Sequence, residues 1–333
     1  MRILVITQQN SGVGFHRLML PVHFMPGVYG LFTDVYSEEL HEQKFDILFV
    51  NRYVQGIELE TILEHREKYG FKLIVDIDDY WHLDSWHILS NQYPTQKIID
   101  HIKAADVVTC TNELLYSEIK PLNENVHILP NALPYGEDQF VNVKTESEKV
   151  RFIYAGSITH EKDVAILRNP LKRVASDAIR EKVEFCLCGY NPEEKRYMNV
   201  WHSMIRDFTC GFKLGHTRAA LPVDKYMNFY NDADVSLVPL VHSRFNSMKS
   251  NLKILEAASR NIPVIASNVP PYDNCPILPV NSQPDWFKHI KKITLDSIYR
   301  QEQGLKLSEW AFQLFNLRIV NIERKQIFES CLS

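Results

Sequence analysis

The chain has 333 residues, 45% of them hydrophobic, and a net charge of -4. This length exceeds the usual size of one domain, so we expect two domains, each with its own core. No apolar run reaches the eighteen or so residues that a membrane helix requires, and Met1 leads directly into a strand-like segment rather than a signal peptide. We therefore predict a cytoplasmic protein with no integral membrane segment and with reduced cysteines.

The charge is divided unequally along the chain. Residues 1–150 contain 12 Lys+Arg against 22 Asp+Glu, whereas residues 151–333 contain 25 against 19. A basic second half suits a ligand that carries a polyphosphate, and an acidic first half disfavours a nucleic-acid or other polyanionic partner. Both balances are also compatible with ordinary solvated surfaces.

Short apolar runs rich in β-branched residues alternate with helical patterns in the first half, which predicts βαβ units and a parallel sheet. The predicted strands are Ile3 to Ile6, Ile47 to Val50, Leu73 to Ile77, Val107 to Cys110 and Val126 to Leu129. A polar stretch without apolar periodicity, Gly136 to Lys149, is the predicted linker.

The second half restarts the same alternation. Its predicted strands are Phe152 to Ala155, Val183 to Cys188, Val235 to Val238, Pro263 to Ala266 and Ile277 to Val280. The chain then becomes helical, and Trp310, Leu314 and Leu317 have the spacing of one helix face. Two similar α/β halves predict a ligand-binding cleft beyond the carboxyl ends of their strands.

A helix predicted before the Pro263 strand carries Lys249, Lys253 and Glu256 on one face. Asn246 or Ser247 is a candidate cap for its start, and Asn261 is suited to its end. Lysines near a helix start favour a phosphate, and a carboxylate accepts hydrogen bonds from ribose or sugar hydroxyls. The alternative is a solvated face on which Lys253 pairs with Glu256.

This region carries a resemblance to a known family. Leu255-Glu-Ala-Ala-Ser-Arg-Asn-Ile-Pro-Val-Ile-Ala-Ser267 and the preceding Ala233 to Leu240 resemble the donor-site signature of retaining GT-B glycosyltransferases of the family 4 type. Tyr154 to Asp163 is similar to the family's diphosphate-binding loop, and Ile128 to Leu133 resembles its Pro-Asn-Gly segment. The resemblance implies two Rossmann-like domains that face each other across a cleft.

We accordingly expect an N-terminal acceptor domain over residues 1–140, a C-terminal donor domain over residues 141–305, and a terminal helical segment, residues 306–333, that packs back on the N-terminal domain. The resemblance implies transfer of a sugar from a nucleotide-diphosphate sugar to an acceptor hydroxyl, with retention of anomeric configuration. The acceptor is a glycan, a lipid-linked molecule or another hydroxyl compound. No cofactor and no essential metal are expected.

The donor residues follow from the same resemblance. Glu256 matches the glutamate that binds the nucleotide ribose, and Lys162 matches the lysine that contacts the diphosphate. Gly156 allows the backbone to approach the ligand. Asn246, Ser247, Lys249 and Lys253 complete the predicted donor site together with Gly12 and Gly14, which resemble the family's glycine loop, although two spaced glycines are also typical of a plain turn.

The first half supplies the candidate catalytic and acceptor residues. Asp78, Asp79 and His82 follow a predicted strand, where they can bind sugar hydroxyls or polarise the attacking hydroxyl. Trp81 can stack on a sugar, and His16 and Arg17 are candidate acceptor-binding residues. The Asp76-Ile-Asp78 pattern is also a form of metal site, which we disfavour because lysines and helix termini commonly replace a metal in this architecture.

Two departures leave alternatives open. Met248 stands where the family usually has a second glutamate, and Ser157 stands where it often has arginine. A catalytically degenerate nucleotide-sugar-binding protein is therefore the main alternative to an enzyme. A nucleotide-sugar epimerase of the same fold is another.

Overall fold

Two six-stranded parallel sheets organise the chain in the computed structural model, which describes residues 1–333. The chain divides into a first unit, Met1–Pro134 with Ser247–Ser250 and Phe315–Ser333, and a second unit, Tyr135–Asn246 with Asn251–Leu314. The first unit's initial segment thus ends at Pro134, whereas the sequence analysis predicted a domain boundary at residue 140. Two Rossmann-like α/β units are the architecture that the alternating strands and helices predicted.

The first sheet has the order β2-β1-β3-β4-β5-β6. All five strands predicted in the first half are present, and the sixth is an edge strand that the sequence did not reveal. This edge strand is only partly buried, and Tyr29 and Phe32 are exposed. The bounds are β1 Arg2–Ile6, β2 Tyr29–Thr33, β3 Ile47–Asn51, β4 Lys72–Ile77, β5 Val107–Cys110 and β6 Val126–Ile128.

The second sheet has the order β12-β11-β10-β7-β8-β9. The five predicted strands are again present. The missed strand is also at an edge, where the residues Gly-His-Thr-Arg-Ala are mostly polar and half-exposed. The bounds are β7 Val150–Ala155, β8 Val183–Tyr190, β9 Gly215–Ala219, β10 Val235–Val238, β11 Val264–Ser267 and β12 Leu278–Val280.

Helices cover the sheets and connect their parallel strands. The chain after β1 forms Gly12–Gly14, a π-helical turn over Phe15–Met19 and then Leu20–His23. The other first-unit helices are Leu59–Tyr69, Thr95–Ala104, Glu113–Ile119 and Leu317–Leu332. The second unit has Glu161–Ala165, Arg168–Ser176, Met198–Thr209, Asn228–Asn231, Leu252–Ala258, Gln283–Leu295 and Ser297–Leu314, and the short helix Arg244–Ser247 ends where the first unit's inserted segment begins.

The closing segment is two helices, so the prediction of one continuous helix face is wrong. Asn316 separates them and caps the second, because its side chain accepts a hydrogen bond from the Arg318 N–H. Leu314 is 58% exposed, whereas Leu317 on the next helix is 1% exposed. The last helix belongs to the first unit, where the Phe328 ring packs edge-on against Phe49 at 5.1 Å.

No helix combines the length and apolar character needed to cross a membrane. The six cysteines are free thiols. A cytoplasmic location stays a prediction.

Candidate functional site

A buried ion pair lies at the carboxyl end of β4. Arg17 donates two hydrogen bonds to Asp76, from Nη2 to Oδ1 at 2.7 Å and from Nε to Oδ2 at 2.9 Å. The Thr109 hydroxyl donates to the same carboxylate at 2.6 Å, and Arg17 also donates to Asn131 at 3.2 Å. Both charged side chains are buried. Arg17, predicted to bind an acceptor, instead neutralises Asp76 inside the first unit.

Asp78 and Asp79 share one guanidinium, that of Arg52. Its Nη2 atom lies 2.9 Å from Asp78 Oδ1 and 3.1 Å from Asp79 Oδ2. Burial raises the pKa of Asp78, while Arg52 opposes the rise. Arg52 adopts a left-handed backbone conformation, φ 64°, directly after β3, and such non-glycine residues mark strained positions that cluster at functional sites. The sequence analysis missed Arg52, although its place after a strand was a usable signal.

The three aromatic candidates differ in accessibility. Trp81 is 3% exposed, so its ring has no free face for a sugar, and the stacking prediction is corrected. His82 is exposed, as an acceptor-facing group would need to be. His16 is buried in the π-helical turn, and burial together with Arg17 lowers its pKa to about 4. His16 is therefore neutral at physiological pH rather than cationic.

The glycine loop after β1 is the start of a helix. The Ser11 side chain accepts a hydrogen bond from the Gly14 N–H at 3.0 Å, which caps this helix. A Cβ atom at Gly14 would lie 1.8 Å from Thr7 Oγ1, whereas one at Gly12 would meet nothing within 4 Å. Packing alone explains the glycine at position 14. Gly12 is the position that remains consistent with close approach by a ligand.

The segment Ser247–Ser250 is assigned to the first unit. Asn112 donates to the Met248 carbonyl at 2.9 Å, and Asn131 donates to the Ser250 hydroxyl at 2.6 Å. Lys249 Nζ lies 3.7 Å from Asp79 Oδ1. Lys249 therefore precedes the helix Leu252–Ala258, and the predicted helical alignment of Lys249 with Lys253 is wrong.

Asn246 and Ser247 do not cap that helix. Its N-cap is Asn251, which makes no side-chain capping bond, and Asn246 donates instead to Asp163 at 3.2 Å and to the Val241 carbonyl at 3.0 Å. Asn261 was predicted to follow the carboxyl end of this helix in the left-handed conformation. Its φ of 54° agrees with that prediction.

Asp163 is a second residue that the sequence analysis missed. Its buried carboxylate accepts hydrogen bonds from the Val241 N–H at 2.8 Å and from Asn246, and it lies 2.7 Å from His160 Nδ1. These contacts join the helix Glu161–Ala165, which follows β7, to the chain after β10. Lys162, the neighbouring donor candidate, is exposed beside this junction.

Lys253 lies at the end of β7. Its ammonium donates to the Ala155 carbonyl and lies 5.4 Å from the centre of the Tyr154 ring. The next residue is Gly156, where a Cβ atom would lie 2.7 Å from the Tyr154 hydroxyl. The glycine and the lysine of the predicted donor site therefore adjoin the same strand end.

Glu256 is 3% exposed, so the alternative of a solvated charged face is wrong. The Tyr230 hydroxyl donates to its Oε2 atom at 2.9 Å. Burial raises the pKa of Glu256 to about 7, although Lys253 and Tyr230 both favour the charged form. A carboxylate with this pKa changes its charge near neutral pH.

The comparisons with known proteins agree with this architecture. Residues 149–293 match the sequence model of the family described as Glycosyl transferases group 1. No curated protein matches the chain significantly.

Solved structures share the fold at low sequence identity. Sucrose-phosphate synthase from Thermosynechococcus elongatus is 14% identical with a TM-score of 0.72, over 99% of this chain and 98% of that chain. Anabaena HepE in complex with UDP and glucose is 13% identical with a TM-score of 0.68, over 99% and 100% of the two chains. A UDP-forming trehalose-phosphate synthase from Burkholderia xenovorans is 10% identical with a TM-score of 0.65, over 89% and 77%. The likeness to these structures shows the GT-B fold of two Rossmann-like units.

Two positions depart from the family pattern that the sequence resemblance implied. The Ser157 side chain is exposed, and its hydroxyl lies 2.7 Å from that of Thr159. Met248 is buried and contacts Asn112 through its carbonyl oxygen. Neither residue supplies the charge of the arginine or glutamate that it replaces.

A large cavity of the second unit, about 1320 Å³, lies away from these residues. Its lining includes Lys149, Val183 and Gly215, at the amino ends of β7, β8 and β9. Ligands of open α/β sheets bind at the carboxyl ends, so this cavity does not correspond to the predicted donor site.

Proposed function

We propose that the chain transfers a sugar from a nucleotide-diphosphate sugar to an acceptor hydroxyl, with retention of anomeric configuration. The observation that carries the proposal is the burial of Glu256 on the helix Leu252–Ala258, inside the segment that matches Glycosyl transferases group 1. A buried carboxylate is a strong hydrogen-bond acceptor, and the ribose hydroxyls of a nucleotide are suitable donors. Uridine diphosphate is the first nucleotide to test, because the similar Anabaena structure contains UDP.

The donor diphosphate would lie beside Gly156. In this proposal Lys253 and the exposed Lys162 offset the charge that develops on the leaving diphosphate. Lys253 lies at the carboxyl end of β7, where its ammonium donates to the Ala155 carbonyl, and in this proposal it donates to a phosphate oxygen when the diphosphate binds.

The first unit would bind the acceptor and orient its hydroxyl group. Asp78 and Asp79, fixed by Arg52, are proposed to orient the acceptor hydroxyl, and the exposed His82 is proposed to polarise it. Lys249 contacts Asp79 and is a further proposed donor contact. Retention of anomeric configuration is proposed from the family resemblance. The proposed mechanism is front-face displacement, because none of the candidate residues is assigned as a nucleophile.

A titration of the full chain with nucleoside diphosphates, followed by turnover assays with a panel of nucleotide sugars, tests the proposal. We expect UDP to bind, and Lys253→Met to weaken binding by about tenfold or more, since a hydrogen bond to a charged group contributes about 1.5 to 3 kcal/mol. Lys306→Met, at an exposed helix position, is the matched control.

The outcomes separate the alternatives. Binding without transfer to any acceptor indicates a degenerate binding protein, and conversion of the donor sugar without an acceptor indicates an epimerase. Absence of binding by every common nucleoside diphosphate, in a protein that melts cooperatively, refutes the donor assignment.

A further inference from the structure

The first unit contains a cavity of about 370 Å³ at the carboxyl ends of β2, β1 and β3. Thr7 and Asp34, which directly follow β1 and β2, and Asn51, the last residue of β3, line the cavity together with residues between Leu89 and Ile98. Carboxyl ends of parallel strands are where α/β units bind small ligands. Pockets of about 300 to 1,000 Å³ accept small molecules, so this volume suits one or two sugar rings rather than a long chain.

Neutral polar groups dominate the lining. The amides and hydroxyls are those of Thr7, Gln8, Ser11, Asn51, Tyr53, Gln55, Gln92 and Tyr93. Amide and hydroxyl groups both donate and accept hydrogen bonds, which matches the hydroxyl groups of a sugar. Gln8 already donates to Gln55 at 3.3 Å, and Leu89 and Pro94 add apolar surface for the C–H face of a ring.

The charges of the cavity do not favour an anion. Arg52 is its one cationic lining residue, and its guanidinium is bound to both Asp78 and Asp79. Asp34 is exposed in the lining and adds a further negative charge. A phosphate group carries about -1.5 to -2 at neutral pH and would meet a carboxylate without an available cation.

We propose that this cavity binds the acceptor, and that the acceptor presents an uncharged sugar there rather than a phosphorylated or acidic one. The inference rests on the proposed transferase function and names its acceptor class. Asp34 acts as a specificity-determining residue, because its charge repels an anionic group on the bound sugar.

Transfer by the full chain from its best nucleotide sugar, to neutral mono- and disaccharides and to the same sugars carrying a phosphate, provides the test. We expect kcat/KM for the neutral acceptors to exceed that for the phosphorylated ones by about tenfold or more. Asp34→Lys should narrow this ratio several-fold, mainly by improving the phosphorylated acceptors. Glu39→Lys makes a comparable charge change on the first unit outside the cavity, and it should leave the ratio unchanged.

Preference for phosphorylated acceptors, or equal shifts in the ratio for Asp34→Lys and Glu39→Lys, would overturn the inference. Ligand-observed NMR with neutral disaccharides gives a readout that needs no donor, and Gln55→Leu should abolish the binding while the melting curve stays intact. Failure of neutral sugars to bind, in a protein that still binds nucleoside diphosphate, refutes the acceptor class alone. Failure to bind any nucleoside diphosphate refutes the underlying function.

Discussion

Glu256 is a carboxylate that is almost completely buried. Its ionised form lowers the stability of the fold but is the better form for binding a ligand. Its carboxyl pKa rises from 4.5 to about 7 because burial disfavours the charged form. Between these values the folded protein binds more protons than the unfolded one, so this group's contribution to stability falls as pH rises from about 4.5 to 7. The ionised form is nevertheless the better acceptor for ribose hydroxyls.

Glu256→Gln should therefore separate stability from binding. We expect donor affinity at pH 8 to fall about tenfold to a hundredfold, because a charged hydrogen-bond acceptor is lost. Wild type should lose on the order of 2 to 3 kcal/mol of its free energy of unfolding between pH 5 and pH 8 through this group, since a pKa unit corresponds to about 1.4 kcal/mol. The variant should not show this loss, so its stability relative to wild type should rise by that amount. Isothermal titration and urea unfolding at both pH values measure these effects.

The exposed Glu309 provides the control. Glu309→Gln should change neither donor affinity nor the pH dependence of stability. Unchanged donor affinity in a folded Glu256→Gln protein would remove Glu256 from the donor site.

Arg17 and Asp76 form a pair whose role is structural, and substitution of one partner should expose that role. Asp76→Asn keeps the size of the side chain but leaves Arg17 buried without its countercharge. Loss of one member of a buried pair costs about 3 to 5 kcal/mol, which urea unfolding measures directly. A cost below about 1 kcal/mol would show that Arg17 relaxes to solvent and would reopen its assignment to the acceptor.

At the scale of elements, the first helix contains two glycines that differ in the space available for a side chain. A Cβ atom would clash at Gly14 but not at Gly12. Gly14→Ala should destabilise the protein by about 1 to 3 kcal/mol, because the added Cβ overlaps Thr7. Gly12→Ala meets open space, so stability should be unchanged or rise by up to about 1 kcal/mol. If a ligand approaches the backbone there, kcat/KM for sugar transfer should fall in the Gly12 variant despite its intact melting curve. Unchanged transfer would identify the loop as a plain turn.

Elements buried on both faces were predictable, and those defined by tertiary contacts were not. The predicted strands contain short apolar runs, whereas the missed strands β2 and β9 are sheet edges that are only partly buried. The spacing of the charged residues Lys249, Lys253 and Glu256 predicted that they share one face of a single helix. The structure instead holds Met248 and Ser250 through Asn112 and Asn131, which are distant in sequence.

The candidate site shows the same limit. Glu256 and Lys253 could be named because a local motif contains them. Arg52 and Asp163 were missed although each follows or ends a recognisable segment, because their roles depend on carboxylates and loops brought together from other strands. Trp81 was misassigned because its sequence neighbours are polar, although its own side chain is buried.

Over the whole molecule, carboxylates predominate in residues 1–150 and cations in residues 151–333. This distribution bears on how a diphosphate would be neutralised. Mg²⁺ and Mn²⁺ are bound through carboxylate oxygens. Both oxygens of Asp76 accept hydrogen bonds from Arg17, and the Oδ1 atom of Asp78 accepts from Arg52 and Asn51. Recruiting these carboxylates to a metal would remove the partners of the buried Arg17 guanidinium and the half-buried Arg52 guanidinium.

We therefore expect a chelator to leave both nucleoside-diphosphate affinity and sugar transfer largely unchanged. In this prediction the charge of the leaving diphosphate is offset by Lys162 and Lys253, whose ammonium groups stay cationic in the presence of chelator. Transfer assays and titrations after dialysis against EDTA, each repeated with added Mg²⁺ or Mn²⁺, measure the effect. The matched comparison is Lys253→Met, which should lose affinity whether or not a divalent ion is present. Complete loss of transfer in EDTA, with recovery on addition of Mn²⁺ or Mg²⁺, would instead favour a metal at Asp76 and Asp78 and require Arg17 to release its carboxylate.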